Sequence, residues 1–340
     1  MNTKELAPIE PYNEVFFKIC LYNSVFPAIR HFGKSILPFL VDDVIIYGSS
    51  AANDGLSLNA SFITNHSFDQ LLKYTGVSAN REQKGSTLIK SITESISIGR
   101  PVVVWVDCYY ESIRPDAYLK AHWPHTLLIY GYNEAERVFN IIEHRKKENL
   151  SYEKRVIGYT DLVNAYDGYM INFHLQDGME EFSDYYEFFI EPGEENIIKN
   201  DDIAPYLRIF KANILKQKEK ILGGVELIKA YKEEFKKIIL QESKVSSAMD
   251  DIIENINQIV NLKKVEKYRI MLLVNQQYGL GTLLDSIMDE WNYIRSILLK
   301  YKYSLKYLQQ DLETCIASIQ KIYETECRYN KSLFDLLEEI

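Results

Sequence analysis

Three residues that could together perform nucleophilic catalysis lie in the first half of the chain: Cys20, His125 and Glu143. A cysteine attacks a carbonyl as its thiolate, and the N-terminus of a helix stabilises that anion through its unpaired N–H groups and its dipole. An imidazole can take up and return the proton near neutral pH, and a carboxylate can fix the tautomer of the imidazole. The three side chains therefore predict a catalytic triad.

The segment around Cys20 predicts the helix that the thiolate needs. Residues 19–33 read as an amphipathic helix with the cysteine in its first turn and Gly33 at its C-terminal end. The alternative is that Cys20 is a packing residue, because free cysteine is among the most buried residue types.

His125 and Glu143 are predicted to meet across a β-hairpin. Residues 125–132 and 138–143 are apolar strand patterns joined by a turn over 133–137. The centre of that turn places Glu143 within one residue of the position opposite His125. The alternative is a structural histidine at a strand end and a solvated carboxylate at the end of the hairpin.

The remaining patterns of the first half are mixed. Residues 68–74 and 86–98 predict helices, and the continuous β-branched run over 101–107 predicts a buried strand. Residues 169–175 and 187–190 predict two further strands. A helix followed by antiparallel strands is typical of the α+β class.

Proline separates two predicted domains. All nine prolines lie at or before Pro205, and the rest of the chain is rich in good helix formers. We therefore expect a catalytic domain over 1–200 and an all-α helical bundle, coiled-coil-like in its pattern, over 201–340. Helices are predicted over 209–241 and 247–278, followed by an apolar seam over 284–322 with alternating steps of three and four. The seam suits either a wall of the active-site cleft or a homodimer contact.

Composition narrows the class of protein. The net charge of −9 argues against nucleic-acid binding, and no apolar run approaches the roughly 18 residues of a membrane span. Four cysteines without a CxxC pattern, and a start that lacks a signal-peptide pattern, indicate a cytoplasmic protein.

Four blocks of the first half resemble the N-terminal domain family of butirosin biosynthesis protein H, a papain-like group. The blocks are a cysteine and helix closed by aromatic-Gly over 20–33, the strand region over 99–110, a His-strand-Gly-Tyr-Asn-strand-acid pattern over 125–143, and a helical block over 159–166. The resemblance implies a papain-like cysteine-protease fold. It also implies amide-forming acyl transfer from a carrier-protein thioester to a small amine, in specialised-metabolite pathways such as antibiotic biosynthesis.

Carried over by position, the resemblance gives each residue a role. Cys20 would be the nucleophile, His125 the general base and then acid, and Glu143 the orienting carboxylate, where such folds more often have Asp or Asn. Papain-like enzymes often place a Gln several residues before the cysteine; here Asn13 is the candidate oxyanion donor.

Other residues are candidates for binding. Asp107 and Tyr109 are the candidate substrate-binding residues, although Asp107 could equally cap its strand. The basic run Arg145, Lys146 and Lys147, with Lys154 and Arg155 near it, could receive an acidic acyl or peptidyl carrier protein. No cofactor is expected beyond the phosphopantetheine that the carrier protein would supply.

Three alternatives remain open at the sequence level. His122 and His125 have the HxxH spacing of a zinc site, with Glu143 and His144 nearby, but Pro124 opposes the helix that would align the two histidines. The same triad could serve a hydrolase, either a peptidase or a thioesterase. A binding or scaffold protein with an inactive papain-like core is the alternative of a different class.

Overall fold

The computed structural model describes residues 2–52, 55–82, 88–144, 150–174, 182–191, 202–240, 242–274, 279–304 and 309–339. The chain forms two compact units. The first comprises residues 1–38 and 67–201, and the second comprises residues 39–66 and 202–340. The fold is α+β, with an antiparallel sheet in the first unit and most of the helical residues in the second.

The first unit is built on a seven-stranded sheet. Its strands are β1 (Thr3–Glu5), β4 (Ser78–Asn80), β5 (Val102–Asp107), β6 (Pro124–Asn133), β7 (Val138–His144), β8 (Tyr152–Gly158) and β9 (Tyr185–Phe189). The order is β4-β9-β5-β6-β7-β8, with β1 also paired to β6, and every pairing is antiparallel. Every residue of β5 is buried, as its unbroken β-branched run predicts.

Four helices accompany this sheet: α1 (Cys20–His31), α3 (Phe68–Thr75), α4 (Leu88–Ser97) and α5 (Tyr159–Asn172). α1 packs on β5 and β6, and β6 carries His125, the predicted general base. α1 ends as predicted, because Gly33 adopts a left-handed φ of 67° and donates its N–H to the carbonyl of Arg30.

The second unit combines a hairpin with long helices. β2 (Val44–Ala52) pairs with β3 (Gly55–Ile63), and the helices are α6 (Ala204–Lys216), α7 (Lys218–Ile238), α8 (Glu242–Leu273), α9 (Leu280–Ser304) and α10 (Gln309–Glu339). α7 packs on both strands and α8 packs on β3, while α10 contacts α7 and α9. A short helix, α2 (Leu37–Asp42), spans the boundary between the units.

The predicted division at residues 1–200 and 201–340 therefore needs a correction, because residues 39–66 belong to the second unit. The hairpin packs against α7 and α8, and Gly224 of α7 lies so close to β2 that an added Cβ would be 2.8 Å from the carbonyl oxygen of Tyr47. This long-range packing has no local signal in the sequence.

Three predicted elements differ from the structure. The strand expected over 169–175 is wrong as far as residue 174, because α5 continues to Asn172. The helix predicted over 209–241 is divided between α6 and α7 at Gln217. The seam over 284–322 is divided between α9 and α10, which pack against each other, and its positions 305 and 308 lie outside the described residues.

None of the described helices is both long enough and apolar enough to cross a membrane.

Candidate active site

Cys20 is the first residue of α1, and the chain before it is held in place by the helix itself. The buried side chain of Asn23 accepts a hydrogen bond from the N–H of Phe17 and donates to the carbonyl of Val15 at 2.9 Å. Lys18 has a φ of 54°, the left-handed conformation that turns the chain into the helix. These features fix the Cys20 sulfur at a helix N-terminus, and the side chain remains partly exposed.

A hydrogen bond between Ser24 and Thr126 links α1, which begins at Cys20, to β6, which carries His125. Ser24, one turn after Cys20, donates to the carbonyl of Thr126 at 3.2 Å, and the two hydroxyl oxygens lie 2.9 Å apart. Thr126 directly follows His125 on β6. The structure thereby brings the Cys20 thiol beside the imidazole, which is completely buried.

Glu143 lies next to the same imidazole. Its Oε1 is 3.1 Å from Nε2 of His125, an ion-pair distance, although the angle is not that of a hydrogen bond. The same oxygen accepts a hydrogen bond of 2.7 Å from Nη1 of Arg114 and one of 2.6 Å from the N–H of His144. Arg114 is also buried, and its Nε and Nη2 each lie 3.0 Å from a carboxylate oxygen of Asp116. A buried guanidinium therefore compensates the buried carboxylate.

These contacts set the charge state of the pair. Burial alone would lower the pKa of His125, but the interactions of the imidazole with Glu143 and then Cys20 outweigh it, and that pKa is raised well above 6.5. Burial would raise the pKa of Glu143, but His125, and then Arg114, lower it below 4.5. At neutral pH, His125 is therefore an imidazolium and Glu143 a carboxylate.

Three more buried polar residues surround the pair; the sequence pointed to His144 only as a possible metal ligand, and to the other two not at all. Burial, followed by the charge of Glu143, raises the pKa of Glu111 to about 8. Burial, followed by the charge of His125, lowers the pKa of His144 to about 3. The third is Tyr152, whose ring centroid lies 3.7 Å from that of His144 and 6.2 Å from that of His125.

These three residues share an unusual property. The carboxyl oxygens of Glu111, both ring nitrogens of His144 and the hydroxyl of Tyr152 are buried and have no hydrogen-bond partner among the described residues. Buried polar groups are normally paired, and exceptions are typical of functional sites. We call Cys20, His125, Glu143, Arg114, Glu111, His144 and Tyr152 the triad cluster.

Asn13, the predicted oxyanion donor, is held by the backbone of Tyr152. Its Nδ2 donates to the Tyr152 carbonyl and its Oδ1 accepts from the Tyr152 N–H, each at 2.8 Å. One of the two amide hydrogens of Asn13 is therefore already used. The side chain anchors the start of β8, and its role as an oxyanion donor stays a prediction.

Asp107 takes the strand-capping alternative rather than a place in an open cleft. It is completely buried, and its Oδ1 accepts from the N–H groups of Tyr109 and Trp123 at 3.0 and 3.2 Å. Its Oδ2 lies 2.6 Å from Nδ1 of His122 and accepts from Asn172 at 2.9 Å. With four partners, the carboxylate is already satisfied by the protein, so we withdraw it as a direct ligand of an amine.

Tyr109 and His122 lie beside Asp107. Their rings stack with centroids 4.3 Å apart, and Tyr109 is only half-buried. Its role in substrate binding stays a prediction. The ring of His122 contacts Asp107, whereas the ring of His125 contacts Glu143, so the two histidines of the HxxH pattern do not form a common site. Within the described ranges, no group of three or more His, Cys, Asp or Glu side chains could hold a metal ion.

The candidate docking run Arg145, Lys146 and Lys147 lies outside the described residues. Lys154 and Arg155, the two basic residues predicted to lie near this run, are on β8, and each lies close to an acidic side chain. Lys154 forms an ion pair with Glu10 at 2.7 Å, and Arg155 lies 3.7 Å from Glu153.

Comparison with protein-family models finds no match for this chain, and comparison with curated proteins finds none either.

Proposed function

We propose that the chain is a cysteine-dependent acyltransferase whose first unit is a papain-like catalytic domain. The observation that carries the proposal is the convergence of Cys20, at a helix N-terminus, with the buried imidazole of His125, which itself lies 3.1 Å from the buried carboxylate of Glu143. This combination of nucleophile, base and orienting acid is the arrangement that covalent catalysis requires. The resemblance of four sequence blocks to a papain-like acyltransferase family supports the same conclusion.

In the proposed mechanism, the thiolate of Cys20 attacks the carbonyl carbon of a thioester and forms an acyl-enzyme. The departing thiol takes its proton from His125. An amine then attacks the acyl carbon, the now neutral imidazole accepts the amine proton, and the Cys20 sulfur leaves as the amide forms. The proton on His125 and the thiolate of Cys20 are thereby restored, so the cycle balances without ATP.

The same proposal includes a donor and an acceptor. A carrier protein bearing an acyl-phosphopantetheine would be the donor, with Arg145, Lys146 and Lys147 as its candidate docking run, and a small amine would be the acceptor. Cytoplasmic location belongs to the proposal as well.

The experiment is intact-mass spectrometry of the protein after incubation with acyl thioesters of N-acetylcysteamine. We expect a mass increase equal to one acyl group, which disappears on addition of a reactive amine and is absent from Cys20→Ala. If no thioester acylates the wild-type protein across a broad panel, the proposal is wrong and a binding or scaffold role takes its place. Release of free acid alone, whatever amine is added, would identify a hydrolase.

A further inference from the structure

The hydroxyl of Tyr152 is an uncharged hydrogen-bond donor of the triad cluster that the mechanism above does not use. Tyr152 opens β8, directly opposite His144, and its side chain is almost completely buried. Its hydroxyl has no hydrogen-bond partner among the residues that the structure describes. A buried hydroxyl without a partner costs free energy, so its persistence calls for an explanation.

The surroundings of the hydroxyl indicate what it faces. Burial, followed by electrostatic interaction with Cys20 and Glu143, raises the pKa of Tyr152 well above 10. The phenol is therefore protonated at every pH at which an enzyme would work, and it can donate a hydrogen bond. The ring of Tyr152 stacks on that of His125 with centroids 6.2 Å apart, so the phenol lies in the same buried cluster as the imidazole that serves the nucleophile.

The position of Tyr152 is fixed from two sides. The side-chain amide of Asn13 binds its backbone N–H and carbonyl, while the rings of His125 and His144 pack along its ring. A donor that is held in place before the reaction stabilises a developing charge without a cost for reorganisation. Asn13, by contrast, is exposed and already spends one amide hydrogen on this anchoring.

We propose that the Tyr152 hydroxyl is the side-chain donor of the oxyanion hole, and that Asn13 positions it. This inference rests on the proposed function. When the Cys20 sulfur bonds to the carbonyl carbon, the electron pair of the C=O bond moves onto oxygen, and that oxygen accepts a hydrogen bond from Tyr152. When the pair returns, the C=O bond reforms and the leaving group departs.

The test compares two reactions of Cys20 in the full-length protein. Acylation by p-nitrophenyl acetate forms an oxyanion, whereas alkylation by iodoacetamide displaces iodide and forms none. Tyr152→Phe keeps the ring and removes only the donor. The matched control is Tyr159→Phe, because Tyr159 also lies in the first unit with a buried hydroxyl but packs against Phe139. Thermal unfolding checks that each variant is folded.

We expect Tyr152→Phe to slow acylation by about 100-fold or more, the usual effect of losing one oxyanion donor, while alkylation stays within about two-fold. Tyr159→Phe should leave both rates unchanged. Equal losses in both reactions of Tyr152→Phe would make Tyr152 a partner of the thiolate and would overturn the inference, as would acylation at the wild-type rate. Failure of the wild-type protein to be acylated at Cys20 would instead reject the proposed function itself.

Discussion

Each unit of this molecule buries a cluster of charged side chains, and the two clusters differ in how completely they are paired. The cluster of the second unit, here the bundle cluster, comprises Tyr47, Lys263, Glu266, Arg269, Glu326 and Tyr329, all almost completely buried. Lys263 lies 2.6 Å from Oε1 of Glu326, and the same oxygen accepts a hydrogen bond of 2.6 Å from Tyr47. Glu266 pairs with Arg269 and accepts from Tyr329 at 2.6 Å.

The bundle cluster is balanced, with two cations, two carboxylates and two phenols that each find a partner. Among its described atoms, only Nε of Arg269 lacks a hydrogen-bond partner. In the triad cluster, by contrast, the side chains of Glu111, His144 and Tyr152 have no hydrogen-bond partner among the described residues. A fully satisfied network gives a unit one specific packing, whereas unsatisfied groups cost stability and are typical of sites that act on a ligand. The comparison predicts loss of activity from changes in one cluster and loss of stability from changes in the other.

The largest effect is expected for His125→Ala. Without the imidazole, Cys20 has neither its charged partner nor a proton donor, so we expect acyl transfer to fall by a factor of about 10³ or more. Initial rates with an acyl-N-acetylcysteamine donor measure it, with His31→Ala, a histidine at the other end of α1, as the control. Glu143→Gln should cost less, because it preserves the shape of the orienting group. Full activity of His125→Ala would contradict the proposed mechanism.

A change in the bundle cluster should act on stability. Lys263→Met leaves Glu326 buried without its cation, and removing one partner of a buried ion pair typically costs about 3–5 kcal/mol. Urea unfolding measures the loss in free energy of unfolding.

The double variant Lys263→Met with Glu326→Leu is the matched control. Because it removes both charges, we expect it to recover most of the loss. The acyl-transfer rate per folded molecule should equal that of the wild type in both variants. If the double variant were as stable as the wild type but transferred the acyl group more slowly, the bundle cluster would also serve activity, and the proposed difference between the two clusters would be wrong.

Glu111 makes the stability of the protein depend on pH. The folded chain keeps its proton up to about pH 8, whereas the unfolded chain releases it near pH 4.5. Between these values the unfolded state binds fewer protons, so this residue lowers the free energy of unfolding as the pH rises, by a few kcal/mol at most. Glu111→Gln should therefore have a higher stability relative to wild type at pH 8 than at pH 5. Urea unfolding of both proteins at the two pH values tests this, and parallel curves would contradict it.

The smallest effect is expected for the relative rates at which the cysteines are alkylated. Burial raises the pKa of Cys108 strongly and that of Cys315 to about 12. Cys327 is exposed to solvent as a residue, and partial burial of its thiol raises that pKa as well. Cys20 lies at a helix N-terminus beside an imidazolium, so iodoacetamide at pH 7 should modify it about ten-fold faster than Cys327. Peptide mass spectrometry gives the two rates. In His125→Ala the ratio should shrink towards one; an unchanged ratio would show that the imidazolium does not activate the thiol.

The sequence predicted the parts of the site that depend on local pattern. Gly33 ends α1, and the hairpin turn brings Glu143 close to His125. The predicted register is shifted, however, since beyond a bulge between Ile129 and Gly131 Leu128 lies opposite Ile142, so Glu143 reaches the imidazole from a diagonal position on the same face. Arg114 was missed because it comes from an irregular loop 29 residues before its partner. Its only signal is chemical: a buried carboxylate in a triad needs a compensating cation.

Other misses have equally physical causes. Strand β8 was missed because Glu153, Lys154 and Arg155 resemble a solvated charged loop, although they form part of the sheet. The strand expected after Tyr169 failed because an aromatic run fits helix and strand alike. In the structure this segment continues α5, which packs closely on Tyr110 at Gly168, where an added Cβ would lie within 2.5 Å of that ring. Contacts between distant segments decide such cases.

The placement of residues 39–66 in the second unit has a consequence for synthesis of the chain. The hairpin is translated early, but its packing partners α7 and α8 follow more than 150 residues later, and Glu326, the partner of Tyr47, comes from the last described helix. On a ribosome, the face of the hairpin that α7 and α8 cover therefore remains exposed while residues 67–201 are made. A fragment that stops near residue 205 would keep the hairpin and lose α7 and α8, the helices that pack on it. A shortened protein that retains the first unit should instead replace residues 39–66 with a linker.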